Sequence, residues 1–142
     1  MEKLKDIIFY TLDKAIKKYR IFAQKKLKEY GYKITVDQWL TIKAILENPG
    51  ISQQEIGEMV FKDNASVTRI IELLVKSEYL EREINTLDRR KSNLKVTPEG
   101  KLIIEKVQSL VYLNRKTTLE GITEKDLEIT NRTLKRIIKN CV

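Results

Sequence analysis

Residues 52–100 read SQQEIGEMVFKDNASVTRIIELLVKSEYLEREINTLDRRKSNLKVTPEG, and this stretch decides the fold. Two short segments with a helical spacing of apolar residues come first, and two short strand patterns around a charged loop follow them. Thr97-Pro98 then starts another helix, because threonine caps a helix well and proline is tolerated at the first helical position. The order is therefore helix, helix, hairpin, helix.

Both short helices carry start signals. Ser52 and Glu55 have the spacing of a capping box, in which the serine hydroxyl accepts from the Glu55 amide and the Glu55 side chain reaches back to the Ser52 amide. Asp63 is placed to cap the second helix. The apolar stripe of the second helix consists of Val67, Ile70, Ile71 and Leu74. Its opposite face presents Ala65, Thr68, Arg69 and Glu72. These small and polar residues leave room for close approach to base edges and phosphates.

The hairpin pattern has a strand from Leu80 to Ile84, a polar loop from Asn85 to Lys91 and a returning strand from Leu94 to Thr97. Two helices followed by a basic hairpin predict a winged helix-turn-helix, a mainly α fold with a small β-hairpin wing (α+β). In such a fold a helix can read the major groove of DNA while the hairpin tip reaches the adjacent minor groove.

Further helical patterns flank this stretch on both sides. The predicted flanking helices cover residues 4–30, 36 to about 48, 98 to about 119, and the last segment from 124 onwards. Gly31 and Gly121 end two of them, and Thr35 and Thr123 precede two others. The apolar stripes at the two ends of the chain are longer than a small winged-helix core needs.

Composition excludes several classes of protein. The chain has 142 residues, one cysteine and no histidine, which fits one domain without a disulfide framework, a familiar zinc site or histidine-based acid/base chemistry. No apolar run approaches the roughly 18 residues of a membrane span, and the segment after Met1 lacks the apolar core of a signal peptide. We therefore expect a cytoplasmic protein with no metal and no cofactor.

The net charge is +8, which favours an anionic partner such as nucleic acid. The distribution of this charge weakens that inference, because most of the excess lies outside the predicted winged helix. Residues 1–30 contribute +5 and residues 96–142 contribute +3. Residues 31–80 contribute −2 and residues 81–95 contribute +2. Function must therefore depend on where a few residues point, and not on bulk charge.

Six segments stand out together by their order and spacing. They are Ile34 to Trp39, Ile51 to Gly57, Asp63 to Ile71, Leu80 to Arg82, Asp88 to Lys91, and Val96 to Gly100. In these segments the chain resembles the MarR family of bacterial and archaeal transcriptional regulators. The resemblance is specific over residues 34–104, and the order of helices matches along the whole length.

The resemblance implies a homodimer whose terminal helices interlock, with each subunit presenting one winged helix to half of a roughly palindromic operator. It divides the single domain, residues 1–142, into a DNA-binding lobe over 34–100 and dimerisation helices over 1–31 and 101–142. Pairing across a two-fold axis would bury the long terminal stripes. The alternative is that the terminal helices pack on each other within one chain.

Matching positions predict DNA contacts along the second short helix. The candidates are Asn64, Ala65, Ser66, Thr68 and Arg69. Ser66 would otherwise only satisfy a free backbone amide near the helix start. Arg69 would otherwise only pair with Glu72 or Glu55. Because Glu72 would repel phosphates, we expect it to pair with Arg69 or Lys76.

In the family pattern Arg90 enters the minor groove, and Asp88 forms the salt bridge that orients it. Such pre-orientation reduces the rotamer entropy that a guanidinium loses on binding. Arg89 and Lys91 would add phosphate contacts, which raise salt dependence more than sequence choice. The alternative for these four residues is a solvated run of charge.

Many MarR-like proteins respond to small aromatic or anionic molecules that bind between the dimerisation helices and the DNA-binding lobe. Candidate neighbours of such an effector site are Tyr19, Arg20, Tyr30, Tyr32 and Trp39. The aromatic rings offer stacking surface and Arg20 offers a cation, although core packing is the commoner role for each ring.

Two functions of different class fit this sequence. The first is a homodimeric, sequence-specific regulator of transcription that binds double-stranded DNA, more often a repressor than an activator. The second is a winged-helix module whose loop, residues 88–91, binds an acidic protein. Only DNA binding requires Arg69 and Arg90 to face one surface. An enzyme is not expected, because the sequence has no histidine, no phosphate-binding glycine loop and no evident carboxylate pair.

Overall fold

The computed structural model describes residues 1–83 and 93–142, which form six α-helices and two strands. The helices are α1 (Ile8–Glu29), α2 (Val36–Glu47), α3 (Gln53–Val60), α4 (Asn64–Lys76), α5 (Pro98–Thr118) and α6 (Glu124–Asn140), and the strands are β1 (Leu80–Glu83) and β2 (Asn93–Val96). The two strands pair antiparallel, with Leu80 opposite Val96. This confirms the predicted mainly α winged-helix fold with its small sheet.

Predicted boundaries differ from the structure in the first helix and at both ends of the returning strand, which begins at Asn93 and not at Leu94. The first helix is interrupted at Ile7, whose extended backbone (φ −86°, ψ 117°) separates a short 3₁₀ turn from α1. The returning strand ends at Val96 and not at Thr97, because the Thr97 hydroxyl caps α5 by accepting from the Gly100 amide at 3.0 Å. Ile84, the predicted end of the first strand, lies outside the described residues.

Side-chain caps define the starts of α2 to α6. Thr35 forms a complete capping box with Gln38. The box predicted at Ser52 is only half formed: the Ser52 oxygen accepts from the Glu55 amide at 3.1 Å, but the Glu55 carboxylate accepts from the Ser52 hydroxyl at 2.9 Å instead of reaching the Ser52 amide. The hydroxyl proton is free to donate there, and a charged acceptor makes that hydrogen bond a strong one.

A close backbone approach shapes the turn between α3 and α4. The Lys62 amide donates to the Gly57 carbonyl at 3.0 Å, and a Cβ atom at position 57 would lie 2.8 Å from the Lys62 carbonyl oxygen. Phe61 ends α3 in the left-handed conformation at φ 60°. Glycine at position 57 therefore lets the chain turn tightly from α3 into α4.

One hydrophobic core joins the winged helix to the long flanking helices. Ile42, Ile56, Val67, Ile71 and Leu74 form its centre, and each is fully buried. Leu27 of α1 and Val107 and Leu110 of α5 belong to the same cluster. The position of the helix-turn-helix is thus fixed against α1 and α5 by apolar packing.

The helix α6 contributes nothing to this core, since none of its residues is buried. Large apolar side chains that remain exposed on the terminal segments include Ile8, Phe9, Tyr10, Ile16, Ile122, Ile129 and Ile138. Packing within one chain, the alternative considered for these stripes, therefore leaves much of them uncovered. No helix in the described residues is long and apolar enough to cross a bilayer.

Candidate nucleic-acid interface

The N-terminal half of α4 carries all five residues predicted to contact DNA. Asp63 starts the helix, and its carboxylate accepts from the Ser66 amide at 2.7 Å. That hydrogen bond, together with the Ser66 hydroxyl and the nearby charge of Lys62, lowers the pKa of Asp63. The cap is therefore ionised at neutral pH, and its negative charge suits the positive end of the helix dipole.

The predicted contact residues lie on the face of α4 opposite the core. Asn64, Ala65 and Arg69 are exposed, and Ser66 and Thr68 are half-buried. Of the apolar residues predicted for the inner face, Val67, Ile71 and Leu74 are fully buried and Ile70 is half-buried. The helix thus presents small polar side chains and one arginine outward.

The ion pairs expected around Glu72 do not form. Among the described residues, neither Arg69 nor Lys76 lies within 4.0 Å of the Glu72 carboxylate, and Arg69 is not paired with Glu55. That expectation was wrong because exposed pairs on a helix gain only about 0–1 kcal/mol, which barely offsets the ordering of two long side chains. The Arg69 guanidinium is therefore not held by either of these carboxylates.

Gln53, at the start of α3, belongs to the same surface and was missed by sequence reasoning. Its Nε2 atom donates to Asn64 Oδ1 at 2.8 Å and to Thr68 Oγ1 at 2.6 Å. The Thr68 hydroxyl in turn donates to the Asn64 carbonyl at 2.9 Å. The only sequence signal was that Gln53 and Asn64 each open a helix of the predicted pair, which does not reveal a contact between them.

The residues predicted to form the tip of the wing, Asp88, Arg89, Arg90 and Lys91, lie outside the described residues. The strands leading to them are described, and Lys95 of β2 lies 3.7 Å from the Glu83 carboxylate of β1. This cross-strand pair offsets part of the negative charge near the base of the wing.

An ion-paired link joins α1 to the turn before α4. Asp37, in the first turn of α2, accepts from Arg20 at 3.1 Å and lies 3.4 Å from the Lys62 ammonium. The side chains of all three residues are about one-third exposed. One carboxylate thus connects a long flanking helix with the residue that precedes the cap of α4.

Arg20 also borders a cavity of about 950 Å³ between α1, α2 and α5. Of the predicted effector neighbours, Tyr19, Arg20 and Trp39 line it. Tyr30 and Tyr32 do not: Tyr30 is exposed, and the Tyr32 hydroxyl donates to the Lys106 carbonyl at 3.1 Å. The structure therefore brings three of the five together.

Asn114 and Trp39 place further polar groups at the cavity, whose lining also includes Asp13, Arg115 and Thr118. Asn114 is buried, and its side-chain amide makes no hydrogen bond within the described part of the chain. The indole Nε1 of Trp39 is buried and has no partner among the described residues. Because buried polar groups are normally paired, the Trp39 indole can donate a hydrogen bond to a molecule in the cavity, and Asn114 adds an amide to its wall.

Comparisons with known proteins agree with this geometry. The family model described as the MarR family matches residues 34–92. The transcriptional regulator SarZ of Staphylococcus epidermidis is 32% identical over 95 residues, which are 66% of this chain and 60% of SarZ, so the match spans about three fifths of that relative.

Two solved structures share the fold at lower identity. The MepR–DNA complex of Staphylococcus aureus aligns with a TM-score of 0.78 at 19% identity, covering 96% of this chain and 97% of MepR. The regulator PcaV of Streptomyces coelicolor, solved with its natural ligand, aligns with a TM-score of 0.81 at 15% identity, covering 100% of this chain and 99% of PcaV.

Proposed function

This chain belongs to the MarR family, and from that premise we propose that it is a non-catalytic transcriptional regulator acting in the cytoplasm. It binds a pseudo-palindromic operator in double-stranded DNA as a homodimer and acts as a repressor. The observation that most supports this function is the outer face of α4. That face presents Asn64, Thr68 and Arg69 together, and Arg69 is left unpaired by Glu55 and Glu72.

The chemistry of this face suits a major groove. A guanidinium can bind guanine O6 and N7 or a phosphate, and amide and hydroxyl groups can bind base edges. Ala65 adds a small side chain that allows close approach. MepR, which has the same fold, was solved as a DNA complex, which supports DNA binding by this chain.

Exposed apolar surface supports the homodimer. Ile8 and Phe9 are 56% and 59% exposed at one end of the chain, and Ile138 is 69% exposed at the other. Apolar side chains in this number on two amphipathic segments favour association, because their burial against a second copy removes them from water. A two-fold dimer would give two copies of α4 and two wings for one operator.

The cavity supports release of the operator by a small molecule. Its walls are mainly aliphatic and aromatic, and its polar groups are Arg20, Arg115, Asp13, Asn114, Thr118 and the Trp39 indole, so its cations outnumber its carboxylate. This combination fits an aromatic carboxylate, whose ring packs on the walls and whose charge binds the guanidinium. PcaV, solved with its natural ligand, has the same fold.

The proposal is tested by selecting genomic duplex fragments with the purified protein. We expect enrichment of an inverted repeat, with affinity that falls steeply as salt rises, because phosphate contacts release counterions. Failure to enrich any sequence would contradict the proposal. Salt-sensitive binding to an acidic protein in that case would favour the protein-interaction module instead.

A further inference from the structure

We propose that Gln53 determines base preference, because it fixes which atoms of Asn64 and Thr68 remain available as donors and acceptors. The inference rests on the proposed function and deepens it, since it assigns a specificity role to a residue outside α4. Its basis is the hydrogen-bond network across the α3–α4 pair.

The hydroxyl of Thr68 sets the direction of every bond in this network. Its single proton is donated to the Asn64 carbonyl at 2.9 Å, so its oxygen can only accept from a second partner. The atom of Gln53 that lies 2.6 Å away must therefore be the Nε2 donor. The same Nε2 lies 2.8 Å from the Asn64 side chain, which must meet it with Oδ1.

These hydrogen bonds determine which donors and acceptors of the three side chains remain free for DNA. Both protons of Gln53 Nε2 are committed, one to Asn64 and one to Thr68. With Oδ1 turned towards Gln53, the Asn64 amide presents its Nδ2 donor group on the other side, and the Thr68 hydroxyl has only a lone pair left. Asn64 is exposed and Thr68 half-buried on the outer face of α4, so both remain within reach of a partner.

Donors and acceptors select different bases in the major groove. Guanine and thymine present the acceptors O6 and O4, whereas adenine and cytosine present the amino donors N6 and N4. An Asn64 side chain that presents Nδ2 therefore favours a keto base, and an acceptor-only Thr68 favours an amino base. The structure thus assigns Gln53 a role in choosing between keto and amino bases at two operator positions.

Changing Gln53 should alter this choice without removing any candidate DNA contact. In Gln53→Ala the Asn64 amide can flip and the Thr68 hydroxyl can rotate, so each can donate or accept. In Gln53→Glu a carboxylate replaces the donor, so Asn64 turns its Nδ2 towards position 53 and presents Oδ1 to the base. The preference at the Asn64 position should then change from keto to amino.

Gln54 provides a matched control. It is the next residue on α3, is exposed, and makes no side-chain hydrogen bond within the described part of the chain. Gln54→Ala removes an amide, as Gln53→Ala does, and Gln54→Glu adds a negative charge, as Gln53→Glu does. Neither Gln54 variant alters the hydrogen bonds between Gln53, Asn64 and Thr68. The added charge should weaken binding to all sequences alike, because it repels phosphates.

The experiment measures the affinity of the wild type and the four variants for the selected operator. The same affinities are measured for duplexes in which one base pair of the half-site is changed at a time. We expect the wild type to discriminate keto from amino bases by roughly five- to tenfold at two positions. In Gln53→Ala this ratio should fall to about twofold or less, and Gln53→Glu should reverse it at one position, whereas both Gln54 variants keep the wild-type profile.

Three results would overturn the inference. If the Gln53 variants, with unchanged melting temperatures, keep the wild-type base profile, Gln53 has no specificity role while the proposed DNA-binding function stands. If the Gln54 variants change the profile as much as the Gln53 variants, the hydrogen-bond network is not the cause. If the wild type prefers no sequence at all, the proposed function itself fails, and this inference fails with it.

Discussion

Asp63 is the residue whose ionisation supports the start of α4. Its pKa lies below the ordinary value of 3.8, first because of the hydrogen bond from the Ser66 amide. A carboxyl whose pKa is depressed by folding adds stability above its unfolded pKa and loses that contribution as pH falls through the folded pKa. The helix that we propose as the DNA-contacting one, α4, should therefore keep its cap throughout the neutral range.

We predict that Asp63→Asn is slightly less stable than the wild type at pH 7, and that the difference disappears as pH falls through the folded pKa of Asp63, which lies below 3.8. Asparagine caps a helix well but lacks the charge that favours the helix N-terminus. Asp63→Ala, which loses the cap altogether, should be the least stable of the three at pH 7. Thermal unfolding across this pH range measures both effects, and a difference that does not change with pH would refute the assignment.

Arg90 is predicted to contact the minor groove. Arg90→Ala should weaken operator binding by roughly 1–3 kcal/mol without altering the oligomeric state. Lys91→Ala, by comparison, should lower the slope of log affinity against log salt by about one and leave base preference unchanged. Fluorescence anisotropy at several salt concentrations separates the two effects. Unchanged affinity in Arg90→Ala would remove the wing from the mechanism.

Single residues show where sequence reasoning succeeded and where it failed. The caps at Asp63 and Thr97 were predictable because capping depends on neighbours three residues away. The role of Gln53 was not, because its partners lie 11 and 15 residues further on and meet it only when α3 packs on α4. The expected pairing of Glu72 failed because sequence spacing allows an exposed ion pair but does not enforce it.

At the scale of elements, Asp37 connects three parts of the chain. It joins α1 through Arg20 and the turn before α4 through Lys62. Arg20 also borders the cavity, so an anionic molecule there would compete with Asp37 for the guanidinium. Two ion pairs therefore connect the wall of the cavity, through Arg20 and Asp37, with Lys62, the residue before the cap of α4.

We predict that Asp37→Asn lowers the free energy of unfolding by about 1 kcal/mol or less, since its partners are partly exposed and screened by water. Glu47→Gln is the matched control, because it removes an i,i+4 pair with Lys43 (3.0 Å) on the same helix. Urea unfolding measures both variants, and the control should lower the free energy of unfolding by less than Asp37→Asn does. Equal effects of the two variants would mean that the three-residue link has no special role.

The elements themselves were largely predictable, because strong caps and helical periodicity are local. The end of β2 shifted by one residue because Thr97 caps α5. The break at Ile7 was not predictable, since the apolar periodicity runs through it without a glycine or proline. The cavity depends on how α1, α2 and α5 pack together, and sequence reasoning placed only part of its wall correctly.

In the whole molecule, the terminal apolar stripes are the surface that a single chain leaves exposed to water. The sequence indicated that they exceed the needs of a small core, and α6 indeed has no buried residue. A second copy is the partner that we propose for them. Its contacts cannot be read from the periodicity of one chain, because periodicity defines an apolar face but not what covers it.

We predict that Ile138→Gln weakens the homodimer by about tenfold or more, because an apolar side chain that is 69% exposed in the single chain would lose its burial against the partner. Arg136→Gln, an exposed position two residues earlier and therefore on the opposite side of the same helix, is the control and should leave association unchanged. Analytical ultracentrifugation over a concentration series measures the dissociation constant. Equal dissociation constants for the wild type and Ile138→Gln would exclude this face of α6 from the interface.

We propose that one dimer contacts both halves of an inverted repeat with two copies of α4. To test this, the protein is titrated against the selected operator and against the same duplex with one half-site scrambled, while light scattering gives the mass of each complex. We expect two chains per duplex and an affinity at least about tenfold lower for the scrambled duplex. One chain per duplex, or equal affinity for the two duplexes, would contradict it.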